Sequence, residues 1–65
     1  MKNTTKYIQQ LAAKLFCEGI ESKKANKRNC KKAIKNTVGF VFLTKLIENN
    51  FNEVMQELKY IEKNI

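Results

Sequence analysis

The chain has 65 residues, a formal net charge of +7 at pH 7 and an apolar fraction of 43%. This length allows one domain at most, residues 1–65, in which about 60% of the unfolded surface is buried, so a lone core is marginal. The apolar fraction excludes a disordered tail, and the chain is expected to fold and to gain stability from self-association.

The first predicted helix covers residues 4–18. Its apolar residues recur at i, i+3, i+4, i+7 and i+8 and form one stripe, Ile8, Leu11, Ala12, Leu15 and Phe16. One of residues 3–5 can cap its start. Gly19 can end it in a left-handed conformation, which places Ile20 against Leu15 in a Schellman motif.

An acid-free stretch runs from Ser22 to Ile47, and its first half is basic. Ser22 is a candidate N-cap for a second helix over residues 23–36. Apolar residues recur at helical spacing on one side of this helix. The neighbouring arc covers about half of the helical wheel and carries the seven cations Lys23, Lys24, Lys27, Arg28, Lys31, Lys32 and Lys35. One side is therefore expected to face the core and the other a partner or water.

The second half of the stretch is apolar and predicts a third helix over residues 38–48. Apolar residues on all its sides are typical of a helix that is buried on several sides, so residues 38–47 are expected to form the packing centre. Gly39 costs about 1 kcal/mol relative to Ala inside a helix, which favours a break there. One long helix bent near Gly39 is an alternative. A strand over residues 38–43 is another, although no second strand-like run is present to pair with it.

The fourth predicted helix covers residues 51–64. Asn50 can cap it, and Glu53 stands where a capping-box acid reaches back. The helical stripe consists of Phe51, Val54, Met55, Leu58, Ile61 and Ile65. The fold class predicted from these elements is all-α, a small bundle of three to four helices.

Residue types that support catalysis are scarce. The chain has no His and no Asp, and it contains no Gly-rich phosphate loop. Cys17 and Cys30 lack a His to generate a thiolate, and both are expected to be buried as small hydrophobes. Two cysteines are too few for a zinc site, and a disulfide depends on a distance that sequence does not give. We therefore expect no enzyme, no catalytic residue, no metal or other cofactor and no small-molecule substrate.

The expected location is the cytoplasm, because no apolar signal region follows Met1. The longest apolar run, residues 38–47, contains Lys45 and is shorter than the roughly 20 residues of a membrane span. We therefore expect no membrane partner.

The seven cations of the basic arc predict an anionic partner, either nucleic acid or an acidic protein surface. In the first case the protein is a small regulatory DNA- or RNA-binding protein that contacts mainly phosphates, with salt-dependent affinity. Arg28 suits bidentate contacts, and Asn26 and Asn29 suit base edges. The simplest alternative is a solvated helix face that keeps the protein soluble. A helix-turn-helix is not supported, because Arg28 stands where that motif places an apolar anchor.

The alternative function is a protein-binding inhibitor or adaptor, for instance a phage- or plasmid-encoded protein that docks on a host nucleic-acid machine, as anti-CRISPR proteins do. A homodimer is expected in either case. Excess apolar surface on the third helix predicts its interface, Phe40, Phe42, Leu43 and Ile47.

Overall fold

Residues 4–65 are described by a computed structural model, and they form four α-helices and no strand. The helices are α1 (Thr4–Cys17), α2 (Lys27–Ala33), α3 (Phe40–Asn49) and α4 (Phe51–Lys63). The predicted all-α bundle is therefore confirmed. Asn3, a candidate cap for α1, lies outside the described residues.

Helix α1 ends in the predicted Schellman motif. Gly19 has a φ of +85°, a conformation that costs other residues free energy. The N–H of Ile20 donates to the carbonyl of Leu15 at 3.0 Å, and the N–H of Gly19 donates to the carbonyl of Phe16 at 3.0 Å. These are the two hydrogen bonds that define the motif, and they satisfy carbonyls at the helix end.

Helix α2 is shorter than predicted, and its expected N-cap was wrong. The helix begins at Lys27, and Asn26 is the cap, with φ −142° and ψ 171°. The Oδ1 atom of Asn26 accepts a hydrogen bond from the backbone N–H of Asn29 at 2.8 Å. Ser22 lies in the preceding turn, where its hydroxyl and its N–H both donate to Glu62 of α4. Ser22 is thus engaged by a distant helix and does not start α2.

The joint between the second and third helices separates them fully. Thr37 donates its N–H to the carbonyl of Ile34 at 2.9 Å, and Phe40 donates its N–H to the carbonyl of Thr37 at 3.1 Å. Gly39 then takes a φ of +84° immediately before α3. A left-handed residue cannot continue a right-handed helix, so the single long helix is excluded.

The core is built mainly where α1 and α4 pack, which is the most extensive contact between helices. The two helices run in broadly the same direction, because Thr5 lies beside Glu53 and Phe16 lies beside Glu62. Both predicted stripes face this contact, and α2 and α3 add two buried residues each. The fully enclosed set is Ile8, Leu11, Ala12, Leu15, Cys30, Ile34, Leu46, Ile47, Val54 and Leu58.

Helix α3 is less buried than predicted. Leu46 and Ile47 are its only enclosed side chains, whereas Val41 is 67% exposed, and Val38 just before the helix is 97% exposed. The expectation that residues 38–47 form a packing centre covered on several sides was therefore wrong. The reason is the small number of helices, because no other described element lies over the outer side of α3.

None of the four helices, over the residues described, is both long enough and apolar enough to span a bilayer.

Candidate nucleic-acid interface

The seven predicted cations gather around α2, but they do not form one helix face. Lys23 and Lys24 lie in the turn before the helix, and Lys35 lies in the turn after it. The other four, Lys27, Arg28, Lys31 and Lys32, belong to α2 itself. The buried side of α2 is formed by Cys30 together with Ile34 at its C-cap.

Two of the cations on α2 point towards α3 and are paired with one carboxylate. The Nζ atom of Lys27 lies 4.0 Å from Oε1 of Glu48, and Lys31 forms an ion pair with Oε2 of the same residue. Sequence analysis missed this contact, because Glu48 follows the acid-free stretch and comes close only when α3 folds back along α2. Glu48 therefore neutralises part of the basic arc.

Three cations form an outward stripe, Arg28, Lys32 and Lys35. They are spaced at i, i+4 and i+7, so they share one side of α2 and its following turn, and all three are exposed. At 1.5 Å per residue the stripe is about 10 Å long. Among residues 4–65 no carboxylate lies within ion-pair distance of any of the three. The stripe is thus the part of the basic arc that remains uncompensated.

The turn before α2 carries a more balanced charge. Lys24 lies 3.8 Å from Glu21, and both side chains are largely exposed. The pKa of Glu62 is held below its ordinary value, first by the hydrogen bond from the Ser22 backbone and then by the one from its hydroxyl, with Lys23 and Lys59 adding weaker attraction. A partner that approaches Lys23 and Lys24 therefore also meets carboxylates.

The two asparagines differ in what they offer a partner. Asn26 uses its Oδ1 atom as the N-cap of α2, so this atom is already engaged. Asn29 is exposed, and its backbone N–H is the donor to that cap. The predicted base-edge role thus remains a prediction for Asn29, while the oxygen of Asn26 has a structural role.

The two cysteines lie in different environments. Cys30 is buried in the core, as predicted, and burial raises the pKa of its thiol. Cys17 is exposed at the end of α1, so its predicted burial was wrong, and neither cysteine forms a disulfide. Within residues 4–65 there is no group of three side chains that could hold a metal ion.

The predicted dimer interface is only partly available on the surface. Ile47 has no exposed area, because it packs into the core, so its assignment to an interface was wrong. Leu43 is partly buried, while Phe40 is 36% and Phe42 46% exposed. Val38 and Val41 were not predicted as surface residues, although both are more exposed than the two phenylalanines.

No family model matches the chain, and neither the curated proteins nor the solved structures include one with significant similarity to it.

Proposed function

We propose that the protein binds nucleic acid, DNA or RNA, by laying α2 along a phosphate backbone. The observation that carries this proposal is the outward stripe, Arg28, Lys32 and Lys35, whose charges meet no carboxylate among the described residues. Three cations about 10 Å apart from end to end match about three phosphates of one strand, which are about 3.4 Å apart along the duplex axis.

The distribution of charge across α2 supports the same proposal. Residues that face α3 are compensated by Glu48, and residues that face the solvent are not. A face that served only solubility would need no such separation, because mixed charges suit that purpose. Long-range attraction is also expected, since a net charge of +7 on a small protein steers it towards polyanions.

The mode of contact follows from the residue types. Arg28 can bind a phosphate with two parallel hydrogen bonds, whereas Lys32 and Lys35 act as point charges. Backbone contacts of this kind carry no sequence information. The proposal is therefore for binding that is sensitive to salt and largely independent of base sequence.

The test is a binding titration on labelled duplex and single-stranded oligonucleotides at several salt concentrations. The variant replaces Arg28, Lys32 and Lys35 with Gln. A matched control replaces Lys6, Lys59 and Lys63 with Gln, which removes the same charge from α1 and α4. The proposal expects the first variant to lose most of its affinity and to lower the salt slope by about 0.9 per lost duplex contact, while the control changes both less.

Two results would reject the proposal. One is the absence of binding at low salt to any of the oligonucleotides. The other is an equal loss in both triple variants, because that would assign binding to net charge alone and give α2 no special part.

A further inference from the structure

A groove between α1 and the start of α3 presents apolar surface that the fold leaves uncovered. Its volume is about 250 Å³, and Leu11 and Leu43 lie at its base. Tyr7 of α1 and Phe42 of α3 form its aromatic side, with ring centroids 5.0 Å apart and an interplanar angle of 81°. This edge-to-face contact holds the two helices in a fixed relation, so the groove is already formed before any partner arrives.

The apolar surface extends beyond the groove along α3. Val38 borders it with 97% of its surface exposed, and Val41 follows on the outer side of the helix with 67% exposed. Taking about 200 Å² for an aromatic side chain, the exposed parts of Tyr7, Phe40 and Phe42 alone leave roughly 250 Å² in contact with water. Exposed apolar patches of a few hundred Å² on a small protein often mark a docking site.

The charges around the groove are of one sign. Lys14 lines it, and no lining residue is acidic. Lys45 is exposed one helical turn after Val41 and lies on the same side of α3. Lys14 also pairs with Glu18 at 3.2 Å, but both side chains remain about 40% exposed, so this pair does not bury its charge. An occupant is therefore expected to combine apolar side chains with acidic ones.

We propose that this groove docks an acidic amphipathic helix of a partner protein. Its apolar side chains would pack against Val38, Val41 and Phe42, and its carboxylates would lie near Lys14 and Lys45. This is the common arrangement in which an amphipathic helix lays its apolar face into a hydrophobic groove. The site is separate from the outward stripe of α2.

A second copy of the chain fits the groove less well. Each copy carries 13 basic and 6 acidic residues, so two copies repel one another at close range. The one acidic amphipathic helix of this chain is α4, and its apolar stripe is already buried against α1. The patch is also smaller than the roughly 800 Å² per partner of a standard interface.

The test uses two labelled synthetic helices with the same apolar residues. One carries Glu at its polar positions, and the other carries Lys. Fluorescence anisotropy measures the binding of each to the full chain at low salt, and sedimentation measures the mass of the chain alone. The proposal expects the acidic peptide to bind at least about tenfold more tightly than the basic one, and the free chain to be a monomer.

The site is checked by the double variant Val38→Asp with Val41→Asp. Both side chains are exposed, so the fold should survive, which circular dichroism verifies. We expect this variant to weaken binding of the acidic peptide by about tenfold or more, because apolar contact is lost and like charge is added. The matched control is Tyr60→Asp with Ile65→Asp, which changes two exposed apolar residues on the other side of the chain by the same charge.

Three outcomes would overturn the proposal. The acidic peptide could bind no better than the basic one, or the two double variants could behave alike. A dimer that Val38→Asp with Val41→Asp dissociates would instead assign the groove to a second copy. None of these outcomes depends on nucleic-acid binding, which the α2 variants test separately.

Discussion

The carboxylate of Glu62 accepts two hydrogen bonds from Ser22, one from its backbone nitrogen at 2.8 Å and one from its hydroxyl at 2.7 Å. The two residues are 40 positions apart in the chain. This contact ties the turn between α1 and α2 to the last turns of α4. It also holds the basic residues that follow Ser22 in a defined position.

This contact predicts a loss of stability in acid. Because hydrogen bonds from Ser22 lower the pKa of Glu62 in the folded state, the folded chain binds this proton more weakly than the unfolded chain. The stabilisation is present above the ordinary Glu pKa of about 4.3 and is lost as the pH falls through the lower folded pKa. Thermal unfolding followed by circular dichroism should show this fall, and Glu62→Gln should make it smaller.

Glu57→Gln is the control for this effect, since Glu57 lies on the same helix but forms no side-chain hydrogen bond among the described residues. At neutral pH we expect Glu62→Gln and Ser22→Ala to lower the midpoint of thermal unfolding, and Glu57→Gln to leave it nearly unchanged. Equal acid sensitivity of the original chain and Glu62→Gln would contradict the assignment.

The left-handed conformation of Gly39 predicts the sign of a second substitution. Gly39→Ala should lower the free energy of unfolding by about 1–2 kcal/mol, because an alanine at positive φ is strained even though open space surrounds this position. If residues 23–48 formed one helix, the same change would instead stabilise the protein by about 1 kcal/mol. Urea unfolding of both proteins decides between the two signs.

Glu48 is expected to restrain nucleic-acid binding. Replacement by Gln frees Lys27 and Lys31, so we predict tighter binding at low salt and a steeper dependence on salt. Stability should change by no more than about 1 kcal/mol, because both pairs are substantially exposed. Glu57→Gln removes the same charge from α4 and serves as the control. If it raises affinity equally, Glu48 has no specific effect on the α2 surface.

The two thiols should react at different rates. Cys17 is exposed and should react with a disulfide reagent in the folded protein, while Cys30 should react only when the protein unfolds, since burial limits access and raises its pKa. Counting the thiols that react with and without guanidinium checks this, and Cys17→Ser should remove the fast phase. Cys30→Ser should cost about 1–3 kcal/mol, because it buries a hydroxyl without an evident partner. Rapid reaction of both thiols in the native state would contradict the structure.

Sequence reasoning succeeded where local signals agree with long-range packing. The start and end of α1 and α4 follow from apolar periodicity and from the residues at their ends, Gly19 and Asn50, and both stripes lie in the core. At Asn50 the expected capping box changes in detail, because Glu53 accepts from the side-chain amide of Asn50. Such signals are contained within one or two helical turns, so a single sequence records them.

Sequence reasoning failed where distant residues decide the outcome. Ser22 has the right chemistry for an N-cap, yet Glu62 uses both of its donors. The basic arc is acid-free along the chain, yet Glu48 reaches two of its members. Val38 and Val41 are apolar and still exposed, because burial depends on which helix lies alongside. None of these relations leaves a periodic signal.

The principal helix pair, α1 with α4, joins the first and last helices of the chain, with residues 18–50 between them. Closing this long intervening loop costs chain entropy before the contact can form, which favours slower folding than in bundles built from sequential neighbours. A fragment that stops before Phe51 retains Leu11 and Leu15 without the surface against which they pack. Such a fragment should expose this stripe and aggregate, so the order in which the chain is made determines when it can fold.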